Sequence, residues 1–298
     1  MKITTIGIDL AKTIFQIHGV NDFGKVIIKK QLKRDQVLPF FANLPPCLIG
    51  MEACSGAHYW ARKFMEYGHN VKLMAPQFVK PYVKTNKNDL NDAEAICEAV
   101  ARPNMRFVPV KNTEQQSILA VHRAREGFVR SRTAHANQIR GLLSEYGIVI
   151  PQGIHHLPKR IPELLEEMAD VLPTLFQHLI FKLLKHLNDL SIEIEELEKQ
   201  IQLWHRQNPA SQKIAEVPGI GPITATALVA SIGDAKNFKN GRQLAAWLGL
   251  VPRQASSGGK QKLLVISKRG DGYLRKLLVH GARSVVSRCE NKEGNLNQ

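Results

Sequence analysis

The chain has 298 residues, 44% of them hydrophobic and 22% charged. That suggests about two domains with conventional cores, and it excludes a disordered or fibrous chain. Lys plus Arg number 41 against 26 Asp plus Glu, a net charge of +15, and the commonest polyanionic partner of such a surface is nucleic acid. No apolar run reaches the ~18 residues of a membrane span. The opening MKITTIGIDLAK lacks the apolar centre of a secretory signal. Cys47, Cys54, Cys97 and Cys289 have no paired spacing, so neither a zinc ribbon nor a disulfide framework is expected. A reducing cytoplasm is.

In chain order, residues 3–8 and 14–20 read as strands from their β-branched content, NDFG at 21–24 as a turn, and 25–30 as a third strand. Helix is expected at 35–43, strand at 47–52, helix at 56–67, strand at 69–75, and helical segments at 76–83 and 89–101. This βββαβαβ-then-helix order is that of the ribonuclease H-like fold. Residues 113–145 lack proline and read as a long helix carrying Arg123, Arg125, Arg130, Arg132 and Arg140. Pro151, Pro158 and Pro162 then predict a linker. From Ile180 the apolar positions Leu183, Leu187, Leu190, Ile194, Leu197, Ile201 and Trp204 recur at alternating steps of three and four. That is a heptad seam. A helical hairpin within one chain and a coiled coil between chains both satisfy it.

Charge is uneven along the chain. Residues 1–110 carry +6, 111–160 carry +5, 161–212 carry −5, and 213–298 carry +9. Nucleic acid should touch the basic flanks and avoid the acidic middle, since phosphate contacts need Lys and Arg. In VPGIGPITATALVASIG (217–233) a Gly219-Ile-Gly221 turn separates helical stretches. It reads either as an ordinary turn between core helices or as a helix–hairpin–helix that aims backbone N–H groups at a phosphate. The expected order is thus 1–108 a ribonuclease H-like α/β domain, 109–210 long helices and coiled coil, and 211–298 a mostly helical C-terminal domain.

Four carboxylates fall at fold-compatible places. Asp9 ends the first strand, Glu52 ends the next apolar strand, and Asp89 and Asp92 open a helix. In a ribonuclease H-like sheet the strands of Asp9 and Glu52 are neighbours, and residues three apart on a helix share a face. Singly, Asp89 reads as a helix N-cap and Asp92 as a favourable first-turn charge. Asp9 and Glu52 resist such readings, because a carboxylate after an apolar strand is costly. Together the four suit a hard divalent cation, Mg²⁺ or Mn²⁺, and two such ions can clamp the entering and leaving oxygens of a phosphodiester.

The basic C-terminal stretch holds Ser256, Ser257, Gly258 and Gly259, followed by Lys260, Lys262, Lys268, Arg269, Arg275 and Lys276. A hydroxyl among cations near phosphate can act as a nucleophile if something takes its proton. No acid or histidine adjoins it, and a Ser-Ser-Gly-Gly loop is also an ordinary turn.

The acids in GIDLAK, MEACSG and KNDLNDAEAI, with VPGIGPITA and PRQASSGGK…ISKRGDGYLRKLL, resemble the DEDD transposases of the insertion-sequence-110 family almost from end to end. The resemblance implies a RuvC-like domain, a coiled-coil region and a C-terminal transposase domain. It implies Asp9, Glu52, Asp89 and Asp92 as the metal-binding set and Ser257, beside Ser256, as the nucleophile. Arg123, Arg130, Gly219, Gly221, Lys260, Lys262, Lys268, Arg269 and Arg275 would contact nucleic acid. Further implications are target and donor DNA and a structured noncoding guide RNA whose pairing supplies specificity. The heptad seam, with the several active sites that strand exchange between two duplexes needs, predicts a dimer that becomes a tetramer on nucleic acid. The setting expected is bacterial, cytoplasmic and nucleoid-associated, without membrane. Site-specific DNA inversion, water-dependent junction cleavage and non-enzymatic binding by an inactive copy are the competing functions. The last draws on the end at CENKEGNLNQ, earlier than the family pattern leads one to expect.

Overall fold

The computed structural model describes residues 2–84 and 88–289, with the backbone but not the side chains of Asp89 and Ser257. Two compact units emerge, Met1–Thr113 and Glu114–Gln298.

The first unit is built on a six-stranded sheet. Its strands are β1 (Thr5–Leu10), β2 (Ile14–Val20), β3 (Val26–Lys33), β4 (Leu48–Glu52), β5 (Asn70–Met74) and β6 (Phe107–Val108), in the spatial order β3-β2-β1-β4-β5-β6. β1 to β3 form an antiparallel meander, while β1, β4 and β5 run parallel. The β2–β3 turn is closed by Asn21, whose side chain accepts from the N–H groups of Phe23 and Lys25 at 3.0 and 2.9 Å. This is the mixed sheet of the ribonuclease H-like class expected from the sequence.

Each face of the sheet has its own cover. Ile6, Ile8, Phe15, Ile17, Ile49, Met51 and Leu73 are fully buried on one side, in one core with Val37 and Phe41 of α1 (Arg34–Ala42) and Trp60 and Phe64 of α2 (Ala57–Glu66). The short helix α3 (Pro76–Val79) and a 3₁₀ turn at Lys80–Tyr82 lead to α4 (Asp89–Val100), which covers the other side. Two glycines permit its close approach. A Cβ on Gly7 would lie 2.2 Å from the Ala93 carbonyl oxygen, and one on Gly50 would lie 2.7 Å from Val100 Cβ. Alternation along a strand puts Asp9 on the face of Gly7 and Glu52 on the face of Gly50. Both acids therefore stand on the α4 side.

The second unit is dominated by two long helices, α5 (Thr113–Ser144) and α7 (Thr174–Gln207), with α6 (His156–Glu167) between them. Residues 151–155 are irregular, but from His156 on the stretch expected to form a linker is helical. Pro162 lies inside α6, and the helix survives because Leu157, Ile161 and Leu164 bury one face, outweighing the lost hydrogen bond. α5 and α7 run antiparallel. Tyr146 meets Phe176, His135 meets His186, Arg125 pairs with Glu198, and Ile118 shares a core with Ile201. The heptad seam is largely spent inside the chain: Ile180, Leu187, Leu190, Ile194 and Ile201 are all buried. Leu183 is only partly covered, and Leu184 is buried in its place. The intrachain hairpin accounts for the periodicity.

Beyond α7 come α8 (Pro209–Ala215), α9 (Pro222–Ile232), α10 (Gly241–Trp247), a hairpin of β7 (Pro252–Ser257) and β8 (Lys260–Ile266), and α11 (Gly272–Cys289). The hairpin replaces the loop expected around the serines. Ser257 pairs with Lys260, and Gly258 and Gly259 close the turn at φ +55° and +77°. Positive φ at both central residues makes a two-residue type I′ turn, whose twist matches that of the strands. No described helix is long and apolar enough to cross a membrane.

Candidate functional site

The acids stand where the first unit's topology places functional groups, at the carboxyl ends of parallel strands. The β1–β4 register pairs Ile8 with Met51, so Asp9 and Glu52 are the next residues in step on adjacent strands. Their shared field reaches Cys54, an exposed residue: desolvation first, then the negative charges of Glu52 and Asp9, raise its thiol above the usual value. α4 brings its first turn toward the same end. Thr5 lies by Cys97 and Gly7 by Ala93 and Cys97, so advancing along β1 means retreating toward the start of α4. The N-cap of α4 is Asn88, whose side chain accepts from the N–H of Asn91 at 2.8 Å. Asp89 is therefore the first helical residue and not the cap. Asp92 is half-buried in the same turn. The side chain of Asp89 lies outside the described residues. Among those described, no three His, Cys, Asp or Glu side chains are gathered closely enough to hold a metal ion.

One further group belongs to this place. Gln16 on β2 sits directly opposite Asp9 in the antiparallel ladder, so the two side chains project from the same face. Gln16 is 8% exposed, and its Oε1 is buried without a hydrogen-bond partner. An orphaned buried acceptor is costly. A hydrated cation beside Asp9 would supply the missing donor through a bound water. The hard oxygen donors and this orphaned amide oxygen fit Mg²⁺ or Mn²⁺. The sequence carries part of this signal: in IFQIHGV the polar Gln16 and His18 alternate with apolar residues, which sets them on one face of the strand, and the β1–β2 register makes that face the acid-bearing one. His18 is buried 3.8 Å from Glu94, which also meets Lys29 and Lys84. Burial lowers its pKa, Glu94 opposes, and the two lysines lower it further.

In the second unit the candidate nucleic-acid contacts have different fates. Arg123 and Arg130 are exposed on α5, and Arg130 is paired with Glu126 at 3.2 Å. Lys260 and Lys262 are exposed on β8. Lys268 adopts φ +54°, a costly conformation for a residue with a Cβ, and its N–H is tied to the Gly249 carbonyl at 3.0 Å. Arg269 is exposed beside it. Arg275 is half-buried and donates to the carbonyls of Leu248 and Gly270 at 3.1 and 3.2 Å, so its guanidinium staples a turn. Lys276 is bound to Glu126 at 2.6 Å. That contact and Arg130 lower the carboxyl pKa of Glu126 although burial alone would raise it.

The Gly219-Ile-Gly221 turn joins α8 to α9. Gly219 has φ +84°, and a Cβ there would lie 2.7 Å from the Gly281 carbonyl oxygen of α11. Only glycine satisfies both demands. Gly221 is the N-cap of α9 and provides no side-chain cap, and a Cβ there would meet nothing within 4 Å. Ser256 and Ser257 end β7, with Ser256 Oγ accepting from Gln254 Nε2 at 2.8 Å. The side chain of Ser257 lies outside the described residues.

Residues 6–148 match the DEDD transposase model of the insertion-sequence-110 group, and residues 211–296 match the model described as "Transposase IS116/IS110/IS902 family". A Pseudomonas aeruginosa protein described as "Probable family 20 transposase" is 53% identical over 293 residues, covering 98% of this chain and 87% of its own. The chain belongs to the IS116/IS110/IS902 family of transposases. The Yersinia enterocolitica transposase for insertion sequence element IS1328 is 45% identical, covering 99% of this chain and 87% of its own. That of the Coxiella burnetii element IS1111A is 43% identical, covering 97% and 80%. Transposases cut and rejoin DNA, so the chain belongs to an enzyme family, and the two stretches matched fall on the acid-bearing sheet and on the serine-bearing C-terminal region.

Proposed function

We propose that the chain carries out transposition by phosphoryl transfer at Asp9, Glu52, Asp89, Asp92 and Ser257. The observation that carries this reading is the in-step placement of Asp9 and Glu52 at the carboxyl ends of adjacent parallel strands, with the orphaned amide oxygen of Gln16 beside them. The four acids would hold Mg²⁺ or Mn²⁺. When bound, the metal supplies positive charge against the phosphate and acidifies coordinated oxygen. The residues themselves do the rest. Ser257 Oγ attacks a backbone phosphorus, forming a phosphoserine ester as one phosphorus–oxygen bond of the DNA breaks. Its proton passes to a carboxylate of the acid set, and the departing oxygen takes one up. Attack by a free DNA hydroxyl on the phosphoserine rejoins the strand and restores the serine. With no local base beside it in sequence, Ser257 needs the N-terminal acids, from its own or another subunit.

Cations and turns of the second unit would hold the backbone. Arg123, Arg130, Lys260, Lys262, Lys268 and Arg269 would contact phosphates, and the uncapped start of α9 at Gly221 would offer N–H groups to one more. Arg275 would act by fixing the turn before α11. We further propose an element-encoded guide RNA that pairs with target and donor DNA, in keeping with the family resemblance and the charge of +15. Strand exchange between two duplexes needs several active sites, so we propose a dimer that pairs on nucleic acid. The heptad seam is engaged within the chain, so other surfaces would form that assembly.

The test is denaturing electrophoresis of protein incubated with labelled DNA and guide RNA, followed by peptide mapping. The expected outcome is a covalent adduct at Ser257 that Ser257→Ala removes, with Ser256→Ala milder. An adduct that persists in Ser257→Ala and maps elsewhere overturns the serine. Cleavage without any adduct favours attack by water.

A further inference from the structure

An open pocket of about 710 Å³ lies on the first unit, away from the α4 face. Its walls are Thr13 at the tip between β1 and β2, Lys33 and Arg34 at the entry to α1, Leu38, and Tyr59 and Trp60 at the start of α2. The chain reaches Thr13 four residues after Asp9 and enters α2 five residues after Glu52. The pocket thus opens at the same end of the sheet as the acids, on the opposite side.

Its chemistry is that of a nucleotide cradle. Tyr59 is 41% exposed and stands edge-on to Trp60 at 5.2 Å. Trp60 is buried and fixed by Phe15 at 4.9 Å. The Arg34 guanidinium lies 5.1 Å from the Trp60 ring and donates to the Lys12 carbonyl at 3.3 Å. Its position is therefore set before any ligand arrives. Lys33 adds a second, exposed cation, and Asp35 offers an acceptor at the rim. A flat exposed ring with two adjacent cations recognises a base together with its phosphate. Bases in a duplex hide their faces, so the fitting ligand is an unpaired nucleotide.

We propose that this pocket binds one unpaired nucleotide, its base on Tyr59 and its phosphate on Lys33 and Arg34, gripping the strand beside the phosphodiester presented to Asp9 and Glu52. This rests on the proposed reaction only in that strands must be unpaired near those acids. The nucleotide can come from DNA or from RNA, and the test separates the two.

The full chain is titrated, in EDTA so that no cleavage occurs, into a labelled DNA single strand, RNA of the same sequence, and the matching DNA duplex, with fluorescence anisotropy as the readout. Tyr59→Ala should weaken single-strand binding about tenfold while duplex binding stays within about twofold. Tyr59→Phe keeps the ring and should restore binding, which separates stacking from misfolding. Lys33→Ala should lower the single-strand salt slope by about 0.7. A loss confined to the DNA strand assigns the pocket to DNA, and one confined to RNA assigns it to RNA. Unchanged single-strand binding in Tyr59→Ala, or an equal loss on the duplex, overturns the proposal. Because these are metal-free affinities, they stand apart from the cleavage assay: an Asp9→Asn protein that still cleaves removes the acid-site reading and leaves the pocket's result intact.

Discussion

The two units place their functional groups in different ways. In the first, topology does the work. Two parallel strands in register deliver Asp9 and Glu52 to one end of the sheet, and glycines at Gly7 and Gly50 let α4 carry its first turn toward them. In the second, the groups sit on turns, a hairpin and helix surfaces, and several candidate cations are already engaged. Arg275 holds backbone carbonyls, Lys276 and Arg130 hold Glu126, and Arg125 holds Glu198. A carboxylate at a strand end has little reason to be there except its chemistry, whereas a surface arginine has several.

The largest expected effect breaks the first unit's site alone. Asp9→Asn should reduce strand cleavage and exchange in Mg²⁺ to background while leaving RNA and DNA affinity within about twofold, since it removes an anion and no phosphate contact. Gel assays of cleavage and binding on the same preparation check it, and full activity would remove the acid-site assignment. Next comes the packing that delivers the acids. Gly7→Val would drive side-chain atoms into the backbone of α4 at Ala93 and Cys97. The cost should exceed about 3 kcal/mol. Hydrogen exchange should show protection lost across Thr5–Leu10 and Leu48–Glu52, and retained protection there would mean that α4 can shift without cost.

The difference between the units also explains what the sequence made legible. The strand order and the positions of Asp9 and Glu52 could be read because a six-stranded sheet with a buried face imposes alternation, and a carboxylate breaking into that pattern is visible. The companion of Asp9 was harder. Gln16 looks like one polar residue in a strand, and only the β1–β2 register shows that it faces the acid. The Tyr59 pocket was beyond reach, since it joins residues from three separated stretches. In the second unit, Pro158 and Pro162 predicted a break, but buried Leu157, Ile161 and Leu164 hold a helix across them. Ser256 to Gly259 read as a loop because β7 and β8 lack a buried face: Leu263 and Val265 are 68% and 66% exposed. The alternation that marks a half-buried strand had nothing to register against.

The seam of α7 offers the next test. Leu187 is fully buried within the chain. Leu187→Ala should cost about 2–5 kcal/mol in chemical denaturation and leave the oligomeric state of the folded protein unchanged by light scattering. A seam serving another subunit would give the reverse, with lost association and an intact protomer.

The smallest effect concerns acid, and it arises from one histidine in the second unit. His122 on α5 is 1% exposed. Its Nε2 lies 2.9 Å from Thr226 Oγ1 and its Nδ1 lies 3.0 Å from the Tyr273 hydroxyl. The Thr226 hydroxyl donates to the Pro222 carbonyl at 2.7 Å, so Nε2–H is the donor toward Thr226 and Nδ1 accepts from Tyr273. Both ring nitrogens are satisfied only when the ring is neutral. Burial, with a further push from Arg125, lowers the His122 pKa from 6.5 to about 4. A lowered value in the fold means that the native state refuses a proton the unfolded chain accepts. Stability from this group is therefore complete above pH 6.5 and declines as pH falls toward 4, by about 3 kcal/mol in all. Below that, both states are protonated and the decline ends. Urea midpoints for wild type and His122→Gln between pH 7 and 4 check it. The variant should start lower, for want of one hydrogen bond, and show a shallower acid slope, so the two curves converge. Parallel curves would mean that the proton is taken up elsewhere, and that the α5–α9–α11 junction does not depend on a neutral ring.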